Sequence, residues 1–65
     1  MTIANQIKNL RTAKSITQED LAASVGVSRQ TIVAMEKGNY MPSLMLAMHL
    51  ARFFKVSVEE LFKIK

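Results

Sequence analysis

A chain of 65 residues makes one domain with a small core, since a protein of this size buries only about 60% of the surface its unfolded form exposes. It has no cysteine, which excludes disulfides and thiolate metal sites and leaves stability to helix packing, caps and an oligomer interface. Nine Lys and Arg against five Asp and Glu give a net charge of +4, which is compatible with a polyanionic partner, and the 49% apolar content is high enough in so short a chain to favour a dimer. No stretch reaches the ~18 apolar residues of a membrane span. Met1 to Leu10 lacks the basic start and continuous apolar run of a signal peptide, so a cytoplasmic protein with no membrane partner is expected.

In chain order, Ile3, Ala4, Ile7 and Leu10 recur at helical spacing between Lys8, Asn9, Arg11 and Lys14, which predicts a first helix over residues 2–14 with one buried stripe. It stops at Lys14 and Ser15 without a glycine. Thr17 is an N-cap for a second helix whose first turn holds Gln18, Glu19 and Asp20, and Ser28 is an N-cap for a third. Each cap is preceded by an apolar residue that meets another at the fourth helical position, Ile16 with Leu21 and Val27 with Ile32, forming two hydrophobic staples. Gly26 and Gly38 stand where helices end in the left-handed conformation, which has no Cβ penalty for glycine. Ala22 allows close approach of the third helix, and Leu21, Val25, Val27, Ile32 and Met35 form the seam. Two short helices, a tight glycine-containing turn and an outward second helix make a helix-turn-helix at residues 17–37.

Pro42 disfavours helix at Met41, and Ser43 caps a fourth helix over 44–54. Its inner face reads as Leu44, Ala47, Leu50, Ala51 and Phe54, with Leu46 at the edge. After Lys55, Ser57 and Glu60 form a capping box, and Val56 and Leu61 a third staple. A fifth helix over 58–63 then packs Leu61 and Phe62.

The third helix divides by angle. Ile32, Met35 and Glu36 fall on one side, and Arg29, Gln30, Val33, Ala34 and Lys37 on the other. The second set lacks a core anchor and offers what a major groove asks for. Arginine grips guanine O6 and N7, glutamine grips adenine N6 and N7, and small apolar groups touch a thymine methyl. Arg29 and Gln30, with Thr31, Val33 and Ala34, are the candidate base contacts, and the first two sit at the N-terminal end that reaches bases in helix-turn-helix docking. Ser28, Lys37, Asn39 and Tyr40 gather at the ends of the motif as candidate phosphate contacts. Gln18 joins them, because the start of the second helix favours an anion.

With these residues in place, the chain resembles the Cro/lambda-repressor-type (Xre) helix-turn-helix proteins of bacteria and phages. The match rests on T-Q-E-D-L-A (17–22), V-G-V-S-R-Q-T-I (25–32), E-K-G (36–38), P-S-L (42–44) and V-S-V-E-E-L-F (56–62). It implies an all-α, compact five-helix lambda-repressor-like domain that binds operator DNA, usually as a dimer. It also implies phosphate contact by Gln18 and a structural salt bridge between Arg11 and Glu36. The family often has glycine where Lys55 stands, and often has polar residues at several of the positions of Met41, Met45, Met48 and Phe53. Met45, Met48 and Phe53, with Phe62 and Ile64, are therefore a candidate homodimer surface.

Catalysis is not expected. The chain has no cysteine nucleophile, zinc-protease motif, P-loop or glycine-rich dinucleotide turn. Its one histidine, His49, stands alone on the outer side of the fourth helix, and the pairs Glu19/Asp20 and Glu59/Glu60 sit in first turns, where helix dipoles account for them. No cofactor, metal or small-molecule ligand is evident. The expected function is a transcriptional regulator, a repressor that binds a palindromic double-stranded operator as a homodimer. The alternative is an antitoxin-type module that binds a toxin or other protein partner.

Overall fold

The computed structural model describes residues 3–65. The elements in order are β1 (Ile3–Asn5), α1 (Ile7–Ala13), α2 (Gln18–Val25), α3 (Arg29–Glu36), α4 (Leu44–Phe54), α5 (Val58–Leu61) and β2 (Phe62–Ile64). Five helices surround a core in which Ile7, Leu21, Ile32, Met35, Leu50 and Leu61 are fully buried. α2 packs against both α3 and α4, and α1 reaches α3.

The helix starts follow from their caps. The hydroxyls of Thr17, Ser28, Ser43 and Ser57 accept from the backbone N–H groups of Asp20, Thr31, Leu46 and Glu60. At α5 the Glu60 carboxylate also accepts from the Ser57 backbone N–H at 2.8 Å, completing the capping box.

The ends of α1 to α4 share one motif. Ser15, Gly26, Gly38 and Lys55 have positive φ, and after each the next backbone N–H closes a six-residue ring. Ile16 donates to Arg11, Val27 to Ala22, Asn39 to Ala34 and Val56 to Ala51, at 2.9–3.3 Å. Three of the four then run straight into the next cap as a left-handed residue, an apolar residue and a hydroxyl: Ser15-Ile16-Thr17, Gly26-Val27-Ser28 and Lys55-Val56-Ser57. The apolar member of each joint packs against the core.

A left-handed conformation costs a side-chain-bearing residue roughly 1–2 kcal/mol. Lys55 carries that strain at φ 59°, ψ 42°. Lys55→Gly is therefore expected to raise stability by about 1 kcal/mol, less whatever the added freedom of the unfolded chain takes back. Thermal or urea denaturation measures it, and an unchanged or lowered midpoint contradicts the strain argument.

Three expectations are corrected. The first helix does not span 2–14. Ile3–Asn5 is a strand and the helix begins at Ile7, while Thr2 lies outside the described residues. Asn5 is the cause of the break: its Oδ1 accepts from the Ile7 N–H at 3.1 Å and its Nδ2 donates to the Met35 carbonyl at 3.0 Å, which fastens the chain to the end of α3 before α1 starts. The fifth helix ends at Leu61 rather than 63, because Phe62–Ile64 pairs antiparallel with β1 in the register Ile3 to Ile64, Ala4 to Lys63 and Asn5 to Phe62. The Gln6 N–H extends this ladder to the Leu61 carbonyl at 2.9 Å. A two-stranded ribbon is marginal by itself, and this one leans on the core through the partly buried Phe62. On α4 the inner face is Leu46, Ala47, Leu50, Ala51 and Phe54, whereas Leu44 is 73% exposed. Ala47, Leu50, Ala51 and Phe54 face inward as expected, and Leu46 takes the place expected for Leu44.

Candidate nucleic-acid interface

α2 packs on α3 across the Gly26-Val27-Ser28 joint, and Ala22 of α2 is buried at 3% exposure. Ile32 and Met35 anchor α3 inward with no exposed surface. That leaves the opposite face open. Arg29 and Gln30 are exposed on the first turn, and neither side chain has a hydrogen-bond or ion-pair partner among the described residues. Val33 and Ala34 are half-buried beside them. Thr31 is also half-buried, and its hydroxyl shares a 3.0 Å hydrogen bond with the Ser28 hydroxyl, so both belong to the cap of α3. Lys37, Asn39 and Tyr40 are exposed at the far end of α3 and in the following loop.

Gln18 is the first residue of α2. The Thr17 hydroxyl serves the Asp20 N–H and the Thr17 carbonyl the Leu21 N–H, while the N–H groups of Gln18 and Glu19 have no partner among the described residues. Unpartnered first-turn N–H groups with the positive end of a helix dipole suit an anion.

Behind this surface lies a charged network. The Arg11 guanidinium grips Glu36 with two bonds, Nε to Oε2 at 2.7 Å and Nη2 to Oε1 at 3.1 Å. Its Nη1 donates to the Ile16 carbonyl at 2.9 Å, and Gln18 Nε2 donates to Glu36 Oε1 at 3.1 Å. The two charged side chains are only 12% and 4% exposed. Arg11 thus joins α1, the first joint and the end of α3, and Gln18 brings in the start of α2.

Burial pushes the Glu36 carboxyl up, but hydrogen bonds from Arg11 and Gln18 and the positive charges of Arg11 and Lys8 outweigh it and hold the group below its ordinary value of 4.5. A carboxyl lowered in the folded state stabilises the protein above its unfolded pKa and loses that contribution as pH falls through the folded one. Stability is therefore expected to fall as pH drops below about 4.5, and Glu36→Gln should flatten part of that decline. Urea unfolding at pH 7 and pH 3 on both proteins measures it, and equal declines in the two would remove Glu36 as a source. Glu60, also lowered by its hydrogen bonds from Ser57, contributes in the same direction and is common to both proteins.

The candidate dimer residues are not all alike. Met45, Met48 and Ile64 are exposed at 69%, 54% and 72%. Phe53 and Phe62 are half-buried against the core, and Phe53 stacks edge-on to Phe54 with ring centres 5.1 Å apart. Met41 and Leu44 are exposed as well, and Leu44 lines a shallow groove with Met45, Met48, His49 and Arg52. His49 is exposed on the same helix.

Asn5 is the structural residue that sequence reasoning missed. An asparagine two positions before the first helical residue is a recognisable helix-start signal, but the helical spacing of Ile3, Ile7 and Leu10 masked it.

The helix-turn-helix family HTH_3 matches residues 7–61, and the chain belongs to this Xre-type family. An HTH-type transcriptional regulator of Methanocaldococcus jannaschii is 55% identical over 58 residues, covering 89% of this chain and 88% of that protein. The cryptic phage CTXphi transcriptional repressor RstR of Vibrio cholerae is 36% identical over 58 residues, covering 89% of this chain and 52% of the repressor. Among solved structures, the restriction-modification controller protein C.AhdI of Aeromonas hydrophila superposes with a TM-score of 0.77 at 33% identity, over 85% of this chain and 83% of that one. No helix among the described residues is long and apolar enough to cross a membrane.

Proposed function

We propose that this protein is a cytoplasmic, sequence-specific DNA-binding transcriptional regulator, a repressor that acts as a homodimer on a palindromic operator. The observation that carries the reading is the outward face of α3, where Arg29 and Gln30 stand exposed and without partners among the described residues. In the major groove Arg29 and Gln30 read base edges, and Thr31, Val33 and Ala34 line the apolar part of the contact. Gln18, Ser28, Lys37, Asn39 and Tyr40 take the flanking phosphates, which fix register and orientation. A two-fold dimer sets its two copies of α3 about 34 Å apart, one turn of DNA. Met45, Met48 and Ile64, with the half-buried Phe53 and Phe62, are the surface we assign to the dimer. The same exposed apolar area favours one alternative, an antitoxin-type module that covers it with a different protein.

Selection from a random DNA pool, followed by binding of the enriched site at several salt concentrations, tests the proposal. A palindromic winner whose affinity falls steeply with salt supports it. No enrichment over the starting pool sinks it and turns attention to a protein partner. Sedimentation at tens of micromolar tests the dimer, and a monomer there counts against it.

A further inference from the structure

Among the described residues, Gln18 is the one candidate phosphate contact whose side chain is already engaged with a charged group of the protein. An amide nitrogen carries two hydrogens. The first of Gln18 is held by Glu36 Oε1 at 3.1 Å, and the Glu36 side chain is only 4% exposed, so its carboxylate is an immobile acceptor. Donation to a carboxylate decides which end of the amide is nitrogen, because the carbonyl end would face like charge. The second N–H is then left for a ligand at the start of α2, where the N–H groups of Gln18 and Glu19 also lack partners among the described residues. Arg11 completes the arrangement. Its two bonds neutralise Glu36, which would otherwise set a negative charge behind a site meant for phosphate.

We propose that Glu36 is a positioning residue for DNA binding: it orients the Gln18 amide so that its free N–H meets backbone phosphate, which links the anchorage of α3 to the grip of α2. This rests on the reading of Gln18 as a phosphate contact. A helix-end ion pair that served folding alone would need only Arg11 and Glu36. The third member is what ties the pair to the DNA-facing surface.

A double-mutant cycle on DNA affinity tests it, using the selected operator and Gln18→Ala, Glu36→Gln and the double variant. Each is measured at a temperature where circular dichroism shows it folded. Gln18→Ala should weaken binding about ten-fold. Glu36→Gln should weaken it about five-fold in the wild-type background and less than about two-fold when Gln18 is already alanine. Equal losses in both backgrounds, or no loss from a folded Glu36→Gln, overturn the proposal. Should Glu36→Gln not fold, the wild-type protein decides by NMR. The two Gln18 amide protons should be well separated in the free protein, with only the solvent-facing one shifting when operator is added. A collapsed, rapidly averaged pair, or no shift on binding, overturns it. Wild type that binds no DNA fails the proposed function itself, whereas wild type that binds with an additive cycle fails only the role of Glu36.

Discussion

Glu36→Ala is expected to cost about 3–5 kcal/mol of folding stability, the typical loss when one partner of a buried ion pair is removed. The reason is less the lost attraction than what stays behind. The Arg11 guanidinium, in a side chain only 12% exposed, keeps its bond to the Ile16 carbonyl but has no carboxylate to neutralise it. Gln18 loses its acceptor as well. A protein of this length has roughly 3–10 kcal/mol in all, so the variant should be close to unfolded at room temperature. Replacing both partners by residues of similar volume, Arg11→Met with Glu36→Leu, should recover most of the loss, because a buried pair is often no more stabilising than good apolar packing. Urea denaturation of the single and double variants measures both effects. A single-variant loss within about 0.5 kcal/mol would mean that the pair behaves as an exposed one.

Arg29→Ala should leave stability unchanged and damage recognition. Its side chain has no partner among the described residues, so its removal strands no group within the protein. If it grips guanine with two hydrogen bonds, truncation costs about 1–3 kcal/mol of specific affinity and relaxes one position in each half-site. Lys37→Ala makes a useful contrast, since loss of a phosphate contact weakens all sequences alike and lowers the salt slope by about one. Repeating the pool selection with both variants separates the two roles. An Arg29→Ala protein that enriches the same site with the same stringency would remove Arg29 from the reading surface.

The parts of this molecule that were legible in its sequence are those decided within a few residues. Thr17, Ser28, Ser43 and Ser57 cap because a hydroxyl must meet an N–H three residues on. Gly26 and Gly38 turn left-handed because glycine alone does so freely. The outward face of α3 followed from helical angle. The ribbon was not legible, because each strand is three residues long and its partner lies at the other end of the chain. Phe62-Lys63-Ile64 alternates, but an alternation that short also fits the last turn of a helix. The misjudged Leu44 on α4 has a similar cause. Leu44 is as well spaced from Ala47 and Ala51 as Leu46 is from Leu50, and only the packing of α2 and α5 on α4 decides that Leu46 is covered and Leu44 is not. The Gln18–Glu36 bond joins residues 18 positions apart on α2 and α3, and no local pattern announces it.

The three-residue joints carry a consequence for how such a chain can vary in length. Each of Ser15-Ile16-Thr17, Gly26-Val27-Ser28 and Lys55-Val56-Ser57 ends one helix, plugs the core and starts the next with no residue to spare. An insertion there must displace one of the three duties, and an insertion inside a helix turns everything after it by about 100°. The segment 39–43 between α3 and α4 is built differently, because several residues there separate the left-handed Gly38 from the next cap. Insertions should therefore be tolerated in that loop between Tyr40, the last of the candidate phosphate contacts, and the Ser43 cap, and rejected at the three joints, so the helix-turn-helix is edited by substitution while the stretch that follows it is free to grow.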